Sequence, residues 1–246
     1  MSRLANLKVK IFADGADYDG IIKMSRNPLI KGFTTNPSLM RKAGVNDYEA
    51  FARKVLAAIL DRPVSFEVFA DDFASMAEQA RTIAAWGANV NVKIPVTNTK
   101  GQPATELIRA LSSEGVVLNV TAIFTHDQVR AVADALDPAT PAIVSVFAGR
   151  IADTGVDPIP HMLACKQILG QRPKAQLLWA STRELLNIFH AEQSGCDIVT
   201  VPNEFLSKLD LVGKDLTEYS RETVQAFYRD AAASAYQIKT TRFAAE

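Results

Sequence analysis

The sequence predicts an α/β protein, a single (β/α)8 TIM barrel with an additional C-terminal helix. Three observations point there. Short runs rich in Val, Ile and Phe alternate eight times with alanine-rich segments of helical period, as in a parallel sheet wrapped by helices. The length, 246 residues, suits one barrel of ~250 residues. The rival, an open doubly wound sheet, would be expected to carry a glycine-rich phosphate loop after its first strand, and neither G-x-G-x-x-G nor G-x-x-x-x-G-K occurs. No composition shift or long linker divides the chain, so residues 1–246 read as one barrel domain, with residues from about 217 forming a C-terminal helix and tail.

The predicted strands are Lys8–Asp14, Gly32–Asn36, Val64–Ala70, Asn89–Val96, Val116–Phe124, Ala142–Ala148, Gln176–Ser181 and Asp197–Pro202. Between them, helical patterns cover Asp47–Leu60, Asp72–Trp86, Ala104–Ser113, Asp127–Leu136, Pro158–Leu169 and Arg183–Ser194, each with one apolar stripe suited to a barrel exterior. Gly87, Gly115 and Gly195 fall just before strands, where a helix end favours a residue tolerant of positive φ. After the eighth strand come a short helix, Asn203–Leu209, and a last helix from about Thr217 to Tyr236. Val224, Phe227, Tyr228, Ala231 and Ala235 lie on one stripe of it, which closes the barrel or reaches a neighbouring subunit; a homo-oligomer is expected.

Composition excludes several classes of function. Apolar residues make up 48% and charged residues 22%, enough for a sizeable core. Basic and acidic residues number 27 each, so the net charge is zero and no general affinity for nucleic acid or anionic membrane is expected. The N-terminus has no apolar leader, and no run approaches the ~18 residues of a membrane span. Cys165 and Cys196 are the only cysteines and fit no metal or redox spacing, which suggests a reduced, cytoplasmic protein. The sequon Asn119-Val120-Thr121 lies in a predicted buried strand and is discounted.

The fourth strand carries the first chemical signal. Val90, Val92, Ile94 and Val96 share one face, while Asn89, Asn91 and Lys93 share the other. In a barrel the apolar face meets the helices and the polar face looks inward. Lys93 is then an ammonium inside the protein, costly unless paired, deprotonated or chemically used. A lysine snorkelling from an edge strand is the alternative.

The other strands end in the same way. Asp14, Asn36, Glu67, Lys93, Asn119 with Thr121, Ser145, and Ser181 with Arg183 stand at the C-terminal ends of seven successive strands, where such barrels place their active sites. Each has an ordinary reading alone. Asp14 suits a turn, Asn36-Pro37-Ser38 a helix start, Thr121 a strand and Arg183 the surface. Together they converge on one mouth. His126, His161 and His190 lie in predicted helices or at their starts and are expected to form no ligand set, so metal chemistry is not expected. The run Asp14–Asp19 lacks the rest of a calcium loop, and no histidine sits at a strand end to serve a nucleophilic serine. What remains is a lysine able to form a Schiff base, its pKa lowered by burial and cationic arginine, with carboxylates and groups to hold a polyol. Arg150 and Arg183, after adjacent strands, form a candidate phosphate clamp. The reading is an imine-forming enzyme acting on a phosphorylated sugar.

At these residues the sequence resembles the transaldolase family. The matching segments are Ala13-Asp-Gly-Ala-Asp17, Gly32-Phe-Thr-Thr-Asn-Pro-Ser38, Glu67, Val92-Lys-Ile-Pro-Val-Thr97, Asn119-Val-Thr121, Ser145-Val-Phe-Ala-Gly-Arg-Ile151 and Ala180-Ser-Thr-Arg183, with Cys196-Asp197 also similar. The chain is shorter than the larger members and looks like a compact one. It departs at Thr182, where larger members often carry an aromatic residue. The resemblance implies that Lys93 forms an imine with a ketose phosphate and Asp14 takes the hydroxyl proton at the cleaved carbon. Asn36, Asn119 and Ser145 hold the retained dihydroxyacetone unit, and Glu67 with Thr121 positions a relaying water. It implies no metal and no organic cofactor, sugar-phosphate substrates, and a place in pentose phosphate metabolism. A fructose-6-phosphate aldolase-type lyase and a non-catalytic sugar-phosphate-binding barrel are the alternatives. Within the family the aldolase branch has Gln at the third-strand position and Tyr at the sixth. Glu67 and Phe147 stand there in this chain, the transferase pattern.

Overall fold

A computed structural model describes residues 3–234 and 236–238. Eight strands, β1 (Lys10–Asp14), β2 (Ile30–Thr34), β3 (Val64–Glu67), β4 (Val90–Pro95), β5 (Leu118–Ile123), β6 (Ala142–Val146), β7 (Ala175–Trp179) and β8 (Ile198–Pro202), pair in parallel and in chain order, and β8 returns to β1 to close the barrel. The helices are α1 (Tyr18–Ser25), α2 (Pro37–Lys42), α3 (Tyr48–Ala58), α4 (Phe73–Ala84), α5 (Thr105–Ser113), α6 (His126–Ala135), α7 (Ala148–Asp153), α8 (Pro158–Leu169), α9 (Asn187–Gln193), α10 (Asn203–Leu206) and α11 (Leu216–Ser234). The predicted (β/α)8 barrel with its C-terminal helix is the observed architecture. Among the described residues no helix is long and apolar enough to cross a membrane.

Local chemistry sets where the helices start. Asp17, Asn36, Asp47, Asp72 and Asp157 each accept a backbone N–H of the following turn, and Thr125 with Gln128 forms a reciprocal capping box. Pro37 and Pro158 occupy first-turn positions where no N–H is needed.

Several boundaries differ from the sequence reading. Strand β2 runs two residues earlier than predicted, because Asn36 leaves the sheet to cap α2. Strand β3 stops at Glu67, since the N–H groups of Phe69 and Ala70 go to Gln79 Oε1, at 2.7 and 2.9 Å. Strand β7 stops at Trp179, before Ser181 turns to φ +67°. Helix α9 begins at Asn187, whose side-chain oxygen accepts the N–H of Arg183 at 2.9 Å. Gly115 and Gly195 take positive φ, whereas Gly87 does not. The predicted Asn203–Leu209 helix divides into α10 and a 3-10 turn, Leu209–Leu211. Ala235, placed on the C-terminal stripe, lies outside the described residues.

Two apolar bodies result. One fills the shell between sheet and helices and includes Val92, Ile94, Val120, Val144 and Leu177. The other, inside the barrel, joins Phe12, Ile143, Leu178, Ala180 and Ile198, with Phe147 packed against it. Phe12 fits there because residue 32 is glycine: a Cβ at that position would lie 2.6 Å from the Phe12 ring. Above this plug the interior turns polar. Helix α11 buries none of its side chains, and Val224, Phe227 and Tyr228 are 63%, 69% and 77% exposed.

Candidate active site

The sheet register brings the polar strand ends to one height. Glu67 pairs with Lys93, Lys93 with Asn119, and Asp14 with Thr34. All eleven residues singled out from the sequence, Asp14, Asn36, Glu67, Lys93, Asn119, Thr121, Ser145, Phe147, Arg150, Ser181 and Arg183, line one cavity of about 570 Å³ at the C-terminal ends of the strands. A second cavity, about 670 Å³, opens at the other end among Lys10, Lys31, Asn91 and Lys174 and is lined by no carboxylate among the described residues. Phe12, which lines that second cavity, belongs to the interior plug.

Lys93 is buried, 8% exposed. Its ammonium lies 3.1 Å from Glu67 Oε2 and donates to the Thr35 carbonyl at 2.9 Å. The expected arginine neighbours are therefore replaced by oxygen atoms. Glu67 is held through its backbone: its N–H donates to Tyr48 Oη at 2.7 Å, and that hydroxyl donates to the Glu67 carbonyl at 2.9 Å. Burial pushes the Tyr48 phenol well up, so it stays protonated and keeps that donor.

Asp14 faces the same interior. Burial raises its carboxyl above the ordinary value, Lys93 and the Thr34 hydroxyl pull it down, and Glu67 pushes it up again. Burial dominates, so Asp14 holds its proton to higher pH than a surface aspartate and is a stronger base once ionised. Thr34 Oγ1 donates to Asp14 Oδ1 at 2.7 Å and meets the Thr200 hydroxyl in a very short contact. Asp17, rather than Asp14, caps α1.

The opposite wall is a chain of small polar groups. Ser145 Oγ donates to Asn119 Oδ1 at 2.6 Å, and Asn119 Nδ2 donates to Ser65 Oγ at 3.1 Å. Asn119 is thus fixed in orientation without a charge. Thr121 is buried beside them. Asn36 serves two purposes: its Oδ1 accepts from Leu39 N at 3.0 Å to cap α2, while the residue lines the cavity.

At the rim, the Arg150 guanidinium sits 5.3 Å from the Phe147 ring centroid. Arg183 forms a two-pronged pair with Asp153, its Nε lying 3.0 and 3.1 Å from the two carboxylate oxygens. That pairing holds the Asp153 carboxyl below its usual range. Behind them Gly149 donates to the Ala180 carbonyl, and a Cβ on Gly149 would lie 1.6 Å from the Ser181 carbonyl oxygen. Ser181 and Ala122 both adopt left-handed backbone, φ +67° and +60°, at the edge of the cavity. Such strain costs of order 1–3 kcal/mol per residue and gathers at functional sites.

Sequence reasoning missed Thr34, Thr200, Ser65, Tyr48 and Asp153. Thr34 lay within a quoted motif and Thr200 at the mouth end of β8, so inward alternation could have found both. Tyr48 and Asp153 act across the fold and carry no local signal. The sequence spacing also did not show that His126 and His161 come together with Cys165 between α6 and α8.

The model of a protein family described as Transaldolase/Fructose-6-phosphate aldolase matches residues 11–245. A probable transaldolase of Dehalococcoides mccartyi is 37% identical over 205 residues, 82% of this chain and 90% of the relative. Another from Methanococcus maripaludis is 36% identical over 202 residues, covering 82% and 89%. A third, from Nitrosopumilus maritimus, is 34% identical over 203 residues, covering 82% and 87%. Among solved structures, 3-hexulose-6-phosphate synthase from Salmonella typhimurium superposes with TM-score 0.56 at 15% identity, covering 79% of this chain and 89% of that one. KGPDC from Streptococcus mutans gives TM-score 0.56 at 10% identity, covering 85% and 100%. At those identities the two structures speak for the barrel alone.

Proposed function

The chain belongs to the transaldolase/fructose-6-phosphate aldolase family, and from that premise we propose that it transfers a dihydroxyacetone unit between sugar phosphates through a Schiff base on Lys93. The observation that carries the proposal is Lys93 itself, a buried ammonium between carboxylates at the floor of a polar cavity with arginines at its rim. A lysine so placed needs a reason, and imine formation supplies one.

The donor ketose phosphate, sedoheptulose 7-phosphate or fructose 6-phosphate, lies with its phosphate toward Arg150 and Arg183 and its carbonyl at Lys93. Lys93 passes a proton toward Glu67 and attacks the carbonyl carbon, and loss of water gives the imine. Glu67 and Thr121 hold the water that relays these protons. Asp14 takes the proton of the hydroxyl beside the breaking carbon–carbon bond, and an aldose phosphate leaves. Its high proton affinity, a result of burial, suits that task. The three-carbon carbanion stays on Lys93, held by Asn36, Asn119 and Ser145, until a second aldose phosphate accepts it. No metal or organic cofactor enters this sequence. We place the enzyme in the cytoplasm, in pentose phosphate metabolism, as one barrel domain. The exposed apolar stripe of α11 supports a homo-oligomer in which a second copy covers it.

The second reading is aldolase-type cleavage, in which a water protonates the carbanion. Glu67 and Phe147 favour transfer: Phe147 has no hydroxyl to orient such a water, and it packs against Phe124 with ring centroids 5.7 Å apart. The test is release of free dihydroxyacetone from fructose 6-phosphate with and without erythrose 4-phosphate. Transfer requires release to be minor in both and sugar exchange to depend on the acceptor. Acceptor-free cleavage at a comparable rate would overturn the reading, and Phe147→Tyr is expected to move the enzyme toward cleavage.

A further inference from the structure

Outside the cavity, helices α6 and α8 bring together three side chains that their sequence spacing does not group. His126 is the first residue of α6, while His161 and Cys165 stand four residues apart on one face of α8. One donor atom from each lies within 4.8 Å of the others. The two imidazoles stack with centroids 4.1 Å apart and planes 20° from parallel.

The hydrogen bonding leaves lone pairs unused. Among the described residues, His161 Nε2 is buried with no hydrogen-bond partner. With no acceptor to donate to, Nε2 presents a bare lone pair when the ring proton sits on Nδ1. His126 Nε2 lies 3.3 Å from the His161 carbonyl oxygen, which can only accept. The proton therefore sits on that nitrogen, and the lone pair of His126 is at Nδ1. A carbonyl that fixes the tautomer of a histidine is the usual outer support of a metal-ligating imidazole. The donor set is two nitrogens and one sulfur.

We propose that His126, His161 and Cys165 bind a single Zn2+-class ion that ties α6 to α8 behind the catalytic wall. Zinc takes nitrogen at ~2.0–2.1 Å and thiolate sulfur at ~2.3 Å in tetrahedral geometry, so the donors must close to roughly 3.5 Å from one another. Side-chain adjustments of about an ångström accomplish that, with the stacked rings opening around the ion. On binding, the ion gains two bonds from imidazole nitrogen and one from sulfur, the Cys165 thiol proton leaves to solvent, and water takes the fourth position. The tie reaches the catalytic wall through Phe124, whose N–H donates to Gln128 in the first turn of α6 and whose ring contacts Phe147. This site makes no use of the Lys93 chemistry and stands or falls separately from it.

Tag-free protein, stripped with a chelator, is titrated with Co2+ as a spectroscopic stand-in, and Zn2+ is then used to displace it. One equivalent per chain is expected, with a thiolate-to-cobalt charge-transfer band and the intense visible bands of a four-coordinate ion. Cys165→Ser abolishes the charge-transfer band. His126→Gln weakens Zn2+ binding by more than the ~10–100-fold typical of losing an outer support. Cys196→Ser changes neither. Absence of stoichiometric binding, or a band that survives Cys165→Ser or disappears in Cys196→Ser, overturns the proposal. If Cys165→Ser does not fold by circular dichroism, His126→Gln decides: unchanged Zn2+ affinity overturns it.

Discussion

The two sides of the barrel wall are built from opposite materials, and strand β4 carries both. Its outward residues, Val90, Val92 and Ile94, are buried in the apolar shell beneath the helices. Its inward residues are Asn91 and Lys93, with Glu67 and Asn119 beside Lys93 on the neighbouring strands. The shell contributes stability in proportion to the apolar area it removes from water, roughly 25 cal/mol per Å². The interior mouth does the reverse. It buries one ammonium beside two carboxylates, an arrangement that lowers stability unless protons and hydrogen bonds are shared. Stability and chemistry are thus separated by the thickness of one sheet, and substitutions on the two sides are expected to have different consequences.

The largest effect is expected inside. Lys93→Arg keeps a buried cation but offers no nucleophilic amine, and transfer activity should fall by at least ~10⁴-fold while the protein stays folded. Substantial residual turnover would place the chemistry elsewhere. Next comes Asp14→Asn, expected to lower kcat/KM by ~10²–10⁴-fold. It also probes stability. The Asp14 carboxyl is raised in the folded protein above its ordinary value of 3.8. Its contribution is therefore fully present below that value and is lost as pH rises through the folded pKa. The melting-temperature advantage of Asp14→Asn over the parent should appear near neutral pH and shrink as pH drops toward 3.8, measured by thermal unfolding across pH. An advantage that grows in acid would mean that Asp14 is stabilised as the carboxylate.

On the outer side, Ile94→Ala should cost ~2–5 kcal/mol in denaturant unfolding and leave turnover per folded molecule unchanged. A large loss of turnover there would break the separation between the two faces. The smallest effect is expected at the rim. Arg183→Gln should raise KM for a phosphorylated substrate by ~10–100-fold, the equivalent of roughly 1.5–3 kcal/mol, and leave its unphosphorylated analogue little changed. Because Arg183 already pairs with Asp153, the lower end of that range is the expectation. Equal effects on both substrates would make the arginine structural.

Legibility in the sequence followed the same division. The barrel could be read because each strand is a short apolar run and each longer helix a striped one. Lys93 could be read because it sits on the polar face of a strand whose other face is entirely apolar, a pattern with few structural excuses. The short helices α1 and α7 escaped, and α2 showed only its Asn36-Pro37-Ser38 start, because six to eight residues carry too few turns to show a period. The departure of Ser181 from β7 escaped because it depends on the close approach of Gly149 from another unit of the barrel. The Tyr48 clamp on Glu67, the Asp153 partner of Arg183 and the His126–His161–Cys165 group are all contacts between elements, which no local pattern encodes.

The most direct test of the central claim is to trap the interior lysine at work. Incubation with fructose 6-phosphate followed by borohydride reduction should fix a three-carbon fragment to the chain, and peptide mass spectrometry should find it on Lys93 and be unable to find it after Lys93→Arg. A fragment on another lysine, or no adduct in enzyme that is demonstrably turning over, would contradict the account.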